Sequence, residues 1–177
     1  MIFSDKIYPR PVVKMILNRE KTQTRRLVKE GEFSSGGQEG NYARVHSKNK
    51  KIKWQVGKTY GVQLGRGKEG IYYQKLRDGR IAFCEGLHSE SVDQEPLLIH
   101  ITAIRKERLC DITEEDAKKE GFKDKDEFLR SFMKISWDIM PVRAKKFTSK
   151  KLLEQAYRIR NPIAAKEWNP EVWVLEW

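Results

Sequence analysis

The sequence predicts an α+β domain built on a mostly antiparallel sheet or a small barrel. Strand-like segments cluster between Trp54 and Arg108, without the regular alternation of strands and helices that is typical of parallel sheets. Within this cluster, Asp78-Gly79 is a strong signal for a β-hairpin. Helical patterns lie on both sides of the cluster. A chain of 177 residues with 38% hydrophobic side chains is sufficient for one domain with one core.

The N-terminal segment predicts a short helix followed by an extended stretch. Between Pro9 and Asn18, Pro11 suits the first turn of a helix. Four apolar residues share one face of that helix: Val12, Val13, Ile16 and Leu17. The threonines of Lys21–Leu27 favour an extended or turn conformation. The next segment, Glu30–Asn49, is rich in Gly, Ser and charged residues, which predicts a long loop or insertion.

Apolar residues alternate with polar or small ones in several further segments, which predicts strands. The first alternating set is Trp54, Val56, Tyr60, Val62 and Leu64, with a turn at Gly57-Lys58. The predicted hairpin has strands over 70–75 and 80–85. Further strands are expected over 97–108 and 172–177.

The C-terminal half predicts three helices. Thr113-Glu114-Glu115-Asp116 has the pattern of a capping box, and Gly121 suits the residue after a helix, so a helix is expected over 114–120. Two longer amphipathic helices are expected over 124–139 and 149–159. Their apolar faces are expected in the core, with Phe128, Leu129, Phe132 and Met133 on the first and Leu152, Leu153, Ala156 and Tyr157 on the second.

The formal net charge of +11 is clustered along the chain. Six basic residues and no acid occur between Arg44 and Lys58, and five more, again without an acid, between Val142 and Lys151. Such runs suit a polyanion, of which nucleic acid is the commonest in a cytosol; the alternative is a solvated basic surface without a partner. The candidate nucleic-acid contacts are Arg25, Arg26, Lys50, Lys51, Lys53, Arg66, Lys68, Lys145 and Lys146.

Several classes of protein are not expected. No stretch approaches the roughly 18 apolar residues of a membrane-spanning helix, and the first residues lack the apolar run of a signal peptide, so a cytoplasmic protein is expected. Cys84 and Cys110 do not form a CxxC pair, and the three histidines are far apart. We therefore expect free thiols, no metal site and no cofactor.

Two segments of the sequence carry side chains suited to ligand binding or catalysis. The run from Lys21 to Arg26 brings together a lysine, two hydroxyls and two guanidiniums, which can hold an anion or a carbonyl. Glu120 places a carboxylate at the C-terminal end of the predicted helix, where the helix dipole disfavours negative charge. A carboxyl group in that position is a candidate proton donor. The alternatives are a polar strand edge for the first place and a solvated surface glutamate for the second.

The pattern resembles the ASCH domain of the PUA-like superfamily. Ile16-Leu17 followed by Lys21-Thr22-Gln23-Thr24-Arg25-Arg26 is similar to the GxKTxTxR stretch of that family. Three further segments of the chain, in the same order as in the family, are similar to it: Val56–Tyr60, Ile101–Phe122, and Trp168–Pro170 with Val172–Trp177. The chain resembles particularly the larger ASCH proteins of phages and bacteria. It departs from the pattern at Arg19, where the family usually has glycine.

The resemblance implies one PUA-like domain over 1–177, a small β-barrel flanked by helices, with a polar, basic insertion at about 29–53. It also implies a cleft suited to RNA or a modified nucleoside. One ASCH subgroup hydrolyses N4-acetylcytidine, with a lysine, a threonine and a glutamate that match Lys21, Thr24 and Glu120. These three are the candidate catalytic residues.

Three functions remain open from the sequence. The first is binding of RNA or a nucleoside without chemistry, with tyrosines and tryptophans available for base stacking. The second is hydrolysis of an N4-acetylcytidine-type base, and the third is a metal-independent ribonuclease. A role in protein interaction is a fourth alternative.

Overall fold

The computed structural model describes residues 2–3, 12–64, 70–75, 81–85, 95–136 and 169–177. This part of the chain is α+β with mostly antiparallel strands, which confirms the predicted fold class. The predicted helix over 149–159 lies outside the described residues. None of the helices described has the length and apolar character needed to cross a membrane.

Along the chain, a short helix near the start is followed by most of the strands, then by two helices and a final strand. The described elements are β1 (Ile2–Phe3), α1 (Val12–Leu17), β2 (Gln23–Leu27), β3 (Phe33–Gln38), β4 (Asn41–His46), β5 (Ile52–Gln55), β6 (Thr59–Gly61), β7 (Gln63–Leu64), β8 (Ile71–Lys75), β9 (Ile81–Glu85), β10 (Glu95–Pro96), β11 (Leu98–His100), β12 (Ala103–Arg108), a 3₁₀ turn (Leu109–Asp111), α2 (Glu114–Lys119), α3 (Lys125–Ser136) and β13 (Glu171–Glu176).

The largest sheet has six strands, in the order β2-β13-β12-β4-β3, with β5 also paired to β4. Strand β13 is central, with all four residues Val172–Leu175 buried. Side chains alternate between the two faces of a strand, so Trp173 and Leu175 face one way and Val172 and Val174 the other. The first face belongs to a cluster with Val45, Ile101 and Ile104. The second is covered by α2, α3 and the 3₁₀ turn.

Smaller sheets accompany the large one. Strands β8 and β9 form the antiparallel hairpin that was predicted around Asp78-Gly79, and β10 pairs with β8. Strand β6 pairs with β11, and β1 pairs with β7 in parallel. The strand predicted over 97–108 is divided into β11 and β12, because Ile101 and Thr102 leave the strand between them.

The segment 30–49, predicted as a long loop or insertion, is not a loop, because β3 and β4 form a hairpin there. Its strands carry few alternating apolar residues, so the pattern that identifies a strand was missing. The pairing instead depends on backbone hydrogen bonds and on glycines in the left-handed region. Gly37 has a φ of +84°, and a Cβ at this position would lie 2.1 Å from the carbonyl oxygen of Asn41. Only glycine allows the two strands to approach so closely.

Both ends of helix α2 are formed by the residues that the sequence predicted. Thr113 Oγ1 accepts a hydrogen bond from the Asp116 backbone N–H at 3.1 Å and caps the first turn. At the other end Gly121 has a φ of +90°, and the backbone N–H groups of Gly121 and Phe122 donate to the carbonyls of Lys118 and Ala117. These bonds form a Schellman motif, and they place Glu120 at the C-cap, directly after the last residue of α2.

Helix α1 ends in the same motif with a different residue at the critical position. The N–H groups of Arg19 and Glu20 donate to the carbonyls of Ile16 and Met15, at 3.1 and 2.9 Å. Arg19 has a φ of +57°, the left-handed conformation that usually belongs to glycine. The chain then enters β2 at Gln23, so this turn sets the position of Lys21.

Candidate functional site

The centre of the site is a buried contact between Lys21 and Glu120. Lys21 Nζ lies 2.8 Å from Glu120 Oε2, and neither side chain is exposed to solvent. The same nitrogen donates to the carbonyl oxygens of Glu120 and Gln23, at 2.9 and 2.7 Å. Three acceptors match the three N–H donors of the Lys21 ammonium group. One acceptor is the carbonyl of Glu120, the residue that directly follows α2, and a lysine can cap a helix end in this way.

Arg25 extends this contact into a network of charges between β2, β12 and α2. Its guanidinium lies 3.3 Å from Glu120 Oε1, 2.9 Å from Asp116 Oδ2 and 2.6 Å from Glu107 Oε1. Arg105 also binds Asp116, at 3.1 Å. Since the Arg25 side chain has no exposed surface, an external phosphate cannot reach it. The expectation that Arg25 contacts nucleic acid is therefore corrected: Arg25 joins α2 to the sheet.

Asp116 is the carboxylate that both arginines share. Burial alone raises the pKa of the Asp116 carboxyl, but the charges of Arg25 and Arg105 and the hydrogen bonds from Arg25 and Gln23 outweigh burial. The pKa of Asp116 is therefore lowered from its ordinary value. Gln23 Nε2 also donates to the Asp116 backbone oxygen at 2.8 Å. Asp116 is consequently an ionised, structural carboxylate at neutral pH.

Thr24, the third candidate catalytic residue, lies on the other face of β2. Gln23 and Arg25 reach Asp116, and Thr24 stands between them on a strand whose side chains alternate. Thr24 pairs with Leu175, whose side chain belongs to the apolar cluster with Trp173. It is buried, with 2% of its surface exposed. The structure thus joins Lys21 and Glu120 but directs Thr24 toward the apolar interior.

A pocket of about 770 Å³ adjoins the buried pair. Lys21 lies in its wall, and Thr22, the other hydroxyl of the Lys-Thr-Gln-Thr segment, lines it as well. Apolar residues from the end of α1 and from the strand segment before Ile101 form much of the lining, which includes Ile16, Leu17, Leu97, Leu98 and Ile99. The remaining lining residues are Arg19, Glu95, Pro96, His100, Thr102 and Trp177. The pocket therefore combines an apolar wall with a few convergent polar groups, as ligand sites do.

Trp177 links the pocket to the buried pair. Lys21 Nζ lies 5.8 Å from the centre of the Trp177 ring, within the range of a cation–π contact. The Trp177 backbone N–H donates to the carbonyl of Thr22 at 2.9 Å. Nothing in the sequence indicated a site role for His100 or Thr102. Trp177 belongs to the predicted final strand and to the family-like segment Val172–Trp177, but nothing local indicated that it meets the end of α1.

The basic candidates outside the network differ in accessibility. Lys50 and Lys51 are exposed in the turn between β4 and β5. Lys53 is paired with Glu32 and lies 4.1 Å from the centre of the Trp54 ring, so part of its charge is compensated. Arg26 is half-buried on β2. Arg66, Lys68, Lys145 and Lys146 lie outside the described residues.

No group of three histidine, cysteine or carboxylate side chains in the described ranges is arranged to hold a metal ion. Comparison with protein-family models, curated proteins and solved structures gives no match to this chain. The pocket, the buried pair and the charge distribution are therefore the features that bear on function.

Proposed function

We propose that the protein binds a nucleoside unit, free or within RNA, in the pocket beside Lys21. The observation that carries the proposal is the composition of this pocket, which is lined by an indole ring, an apolar wall and several hydrogen-bonding side chains. Bases of single-stranded RNA are bound by stacking on aromatic rings and by hydrogen bonds to their edges. Trp177 supplies the ring, and Thr22, Thr102 and His100 supply the polar groups. The volume suits one nucleoside or nucleotide.

The proposal includes membership of the ASCH class with a PUA-like barrel. Its support is the order of the sequence segments, together with an α+β fold in which the Lys21 segment meets the end of α2. The exposed lysines at the turn between β4 and β5 would contact the phosphates of a longer RNA.

Hydrolysis of an N4-acylated cytosine is a second proposal, supported by the contact between Lys21 and Glu120 in the wall of the pocket. In this reaction water adds to the acyl carbon, the bond from that carbon to N4 breaks, and N4 takes a proton. In this ion pair the Glu120 carboxylate is the base that takes a proton from the attacking water, and the Lys21 ammonium is the acid that gives N4 its proton. Each is already bonded in the described conformation, so a substrate must displace at least one of these bonds.

Isothermal titration calorimetry with cytidine and with N4-acetylcytidine tests the binding proposal. We expect both nucleosides to bind, and Trp177→Ala to weaken binding by about tenfold or more, since stacking on an aromatic side chain is worth about 1–3 kcal/mol per base. Trp54→Ala is the matched control, because Trp54 is half-buried in β5 and does not line the pocket. Circular dichroism confirms that both variants fold. Equal affinities for wild type and Trp177→Ala, or no affinity for nucleosides or RNA, would reject the proposal.

A further inference from the structure

Arg19 occupies a backbone conformation that glycine would adopt without strain. Its φ of +57° falls in the left-handed region, where a side chain with a Cβ meets steric repulsion. The Schellman bonds at Arg19 and Glu20 show that the end of α1 requires this conformation. Glycine at this position would make the same backbone bonds. The arginine side chain therefore destabilises the turn and contributes nothing to the closure of the helix.

The Arg19 side chain is located where it can contact a ligand. It is exposed, and it lines the pocket beside Lys21 and Trp177. Within the described ranges its guanidinium makes no hydrogen bond or ion pair. Strained residues of this kind cluster at binding sites, where the side chain is retained for what it binds.

The other charges around the pocket leave Arg19 as the group available to an anion. Lys21 lines the pocket, but its ammonium is bonded to Glu120. His100 shares a contact of 3.1 Å with Thr59 Oγ1. Glu95 is an exposed acid at the same pocket, and it opposes anion binding on its own side. An arginine fork suits a phosphate, to which it can donate two parallel hydrogen bonds.

We propose that Arg19 binds the phosphate of a nucleotide at this pocket, so that the preferred ligand is a nucleotide or an RNA segment rather than a nucleoside. This inference rests on the proposed function, because the base of the same ligand would occupy the pocket beside Trp177. The phosphate is either the terminal group of a free mononucleotide or a diester within RNA. Both present the same oxygens to the guanidinium.

Affinities for four probes test the inference: cytidine, cytidine 5′-monophosphate, the dinucleotide cytidylyl-(3′→5′)-cytidine and inorganic phosphate. We expect the monophosphate or the dinucleotide to bind about tenfold tighter than cytidine. This gain in affinity corresponds to the contribution of a partly exposed hydrogen bond to a charged group. The tighter of the two identifies the source of the phosphate. Arg19→Ala should remove this advantage, so that the phosphorylated probes bind this variant no tighter than cytidine does. Arg19→Lys should retain part of it, because lysine keeps the charge and loses the fork.

A second measurement separates the ligand role from a structural one. Arg19→Gly should raise the unfolding temperature by about 2–4 °C by relieving the strain, whereas Arg19→Ala keeps the strained conformation and should not. Both variants should lose the phosphate advantage equally.

Equal binding of cytidine and both phosphorylated probes, or an advantage that Arg19→Ala retains, would overturn the inference. If cytidine fails to bind while inorganic phosphate binds in an Arg19-dependent way, the nucleoside proposal fails and the anion site stands. If the phosphorylated probes and inorganic phosphate all fail to bind, the anion site is rejected whatever the result with cytidine.

Discussion

Lys21 and Glu120 are 99 positions apart in the sequence, yet Lys21 Nζ and Glu120 Oε2 lie 2.8 Å apart with no solvent access to either side chain. The contact fixes the end of α2 against the start of β2. Because Lys21 also bonds the Glu120 backbone oxygen, it neutralises both the side chain and the negative end of the helix. The unfavourable position of Glu120 at a helix C-terminus is thereby compensated from outside the helix.

Replacement of Lys21 by methionine should destabilise the protein strongly. Methionine fills similar space but leaves the Glu120 carboxylate with one cation, Arg25. Breaking a buried pair costs about 3–5 kcal/mol, because a charge remains without its partner. Urea denaturation of wild type and Lys21→Met measures the difference in the free energy of unfolding.

The double variant Lys21→Met with Glu120→Gln controls for lost packing. Its destabilisation should be less than the sum of the single effects by at least about 0.5 kcal/mol, as for residues in direct contact. Additive effects would show that the two side chains do not interact in solution.

The pH dependence of stability should reveal Asp116. Its pKa is lowered in the folded state, so the folded protein binds the proton less readily than the unfolded chain does. This contribution is complete above the ordinary pKa of 3.8 and is lost as the pH falls through the lower, folded value. We expect Asp116→Asn to unfold at a lower temperature than wild type at pH 7, with a gap that narrows below about pH 4. Thermal unfolding between pH 2.5 and 7 measures the gap, and a constant gap would contradict the assignment.

The sequence predicted α2 well because its ends depend on local chemistry. Thr113 and Gly121 carry the bonds that begin and end the helix, and both are recognisable from residue type and spacing. Strand β3 was not predictable in this way, because its pairing with β4 rests on backbone bonds and on left-handed glycines. Local patterns report what a segment does by itself and not what it pairs with.

The site was predictable only in part for the same reason. Lys21 and Glu120 were singled out from their neighbours in sequence, but their contact depends on how α2 docks on β2. Arg25 looked like a surface cation, and its burial follows from Asp116 and Glu107, which lie on other elements. Arg19 departed from a glycine pattern, and only the structure gave its backbone angle.

Gly121 should tolerate substitution poorly, in contrast with Arg19. Its φ is +90°, and a Cβ there would lie 3.0 Å from Met15 Sδ, so alanine adds both strain and a close contact. We expect Gly121→Ala to lower the free energy of unfolding by about 1–2 kcal/mol. Urea denaturation measures this loss, with the half-buried Gly40 replaced by alanine for comparison. Gly40 also has a positive φ, +88°, but a Cβ there would meet nothing within 4 Å. A smaller loss for Gly121→Ala than for Gly40→Ala would exclude the close contact with Met15 as a cause.

RNA binding should depend on salt and on the exposed lysines of the β4–β5 turn. For about four phosphate contacts with single-stranded RNA, log K should fall against log salt with a slope near −3. Replacing Lys50 and Lys51 by glutamate should lower the affinity for all RNA sequences by the same factor, since phosphate contacts carry no sequence information. Lys53→Glu should weaken RNA binding and should also break the ion pair between Lys53 and Glu32. Filter binding at several salt concentrations measures these affinities.

The matched control for this experiment is a double variant in which Lys118 and Lys119 are both replaced by glutamate. Both lysines are exposed in the last turn of α2, on a different element from the β4–β5 turn. An equal loss of affinity in the control would indicate a general effect of net charge, and an affinity that is independent of salt would exclude phosphate contacts.

Hydrolysis of N4-acetylcytidine is the prediction that distinguishes an enzyme from a binding protein. We expect the purified protein to release cytidine, detected by chromatography. Glu120→Gln and Lys21→Met should each lose at least about 100-fold in turnover, the lower range for general acid–base catalysis. Circular dichroism must show that each variant is folded, because both residues are buried. Parallel incubation with RNA detects cleavage by a metal-independent ribonuclease.

The two threonines of the Lys-Thr-Gln-Thr segment test how the reaction would proceed. An alternative to direct attack by water is attack on the acyl carbon by a threonine, and the family resemblance implies Thr24 for this role. Thr24, however, faces the apolar cluster around Leu175, whereas Thr22 lines the pocket. We therefore expect Thr22→Val to lower turnover more than Thr24→Val, with valine preserving the shape of each side chain. The opposite order would show that the substrate reaches Lys21 from the interior face of β2, after a rearrangement of that strand. Cytidine release that persists unchanged in both variants would exclude a threonine nucleophile and leave Lys21 and Glu120 to activate water. Binding of nucleosides without any release would restrict the function to recognition.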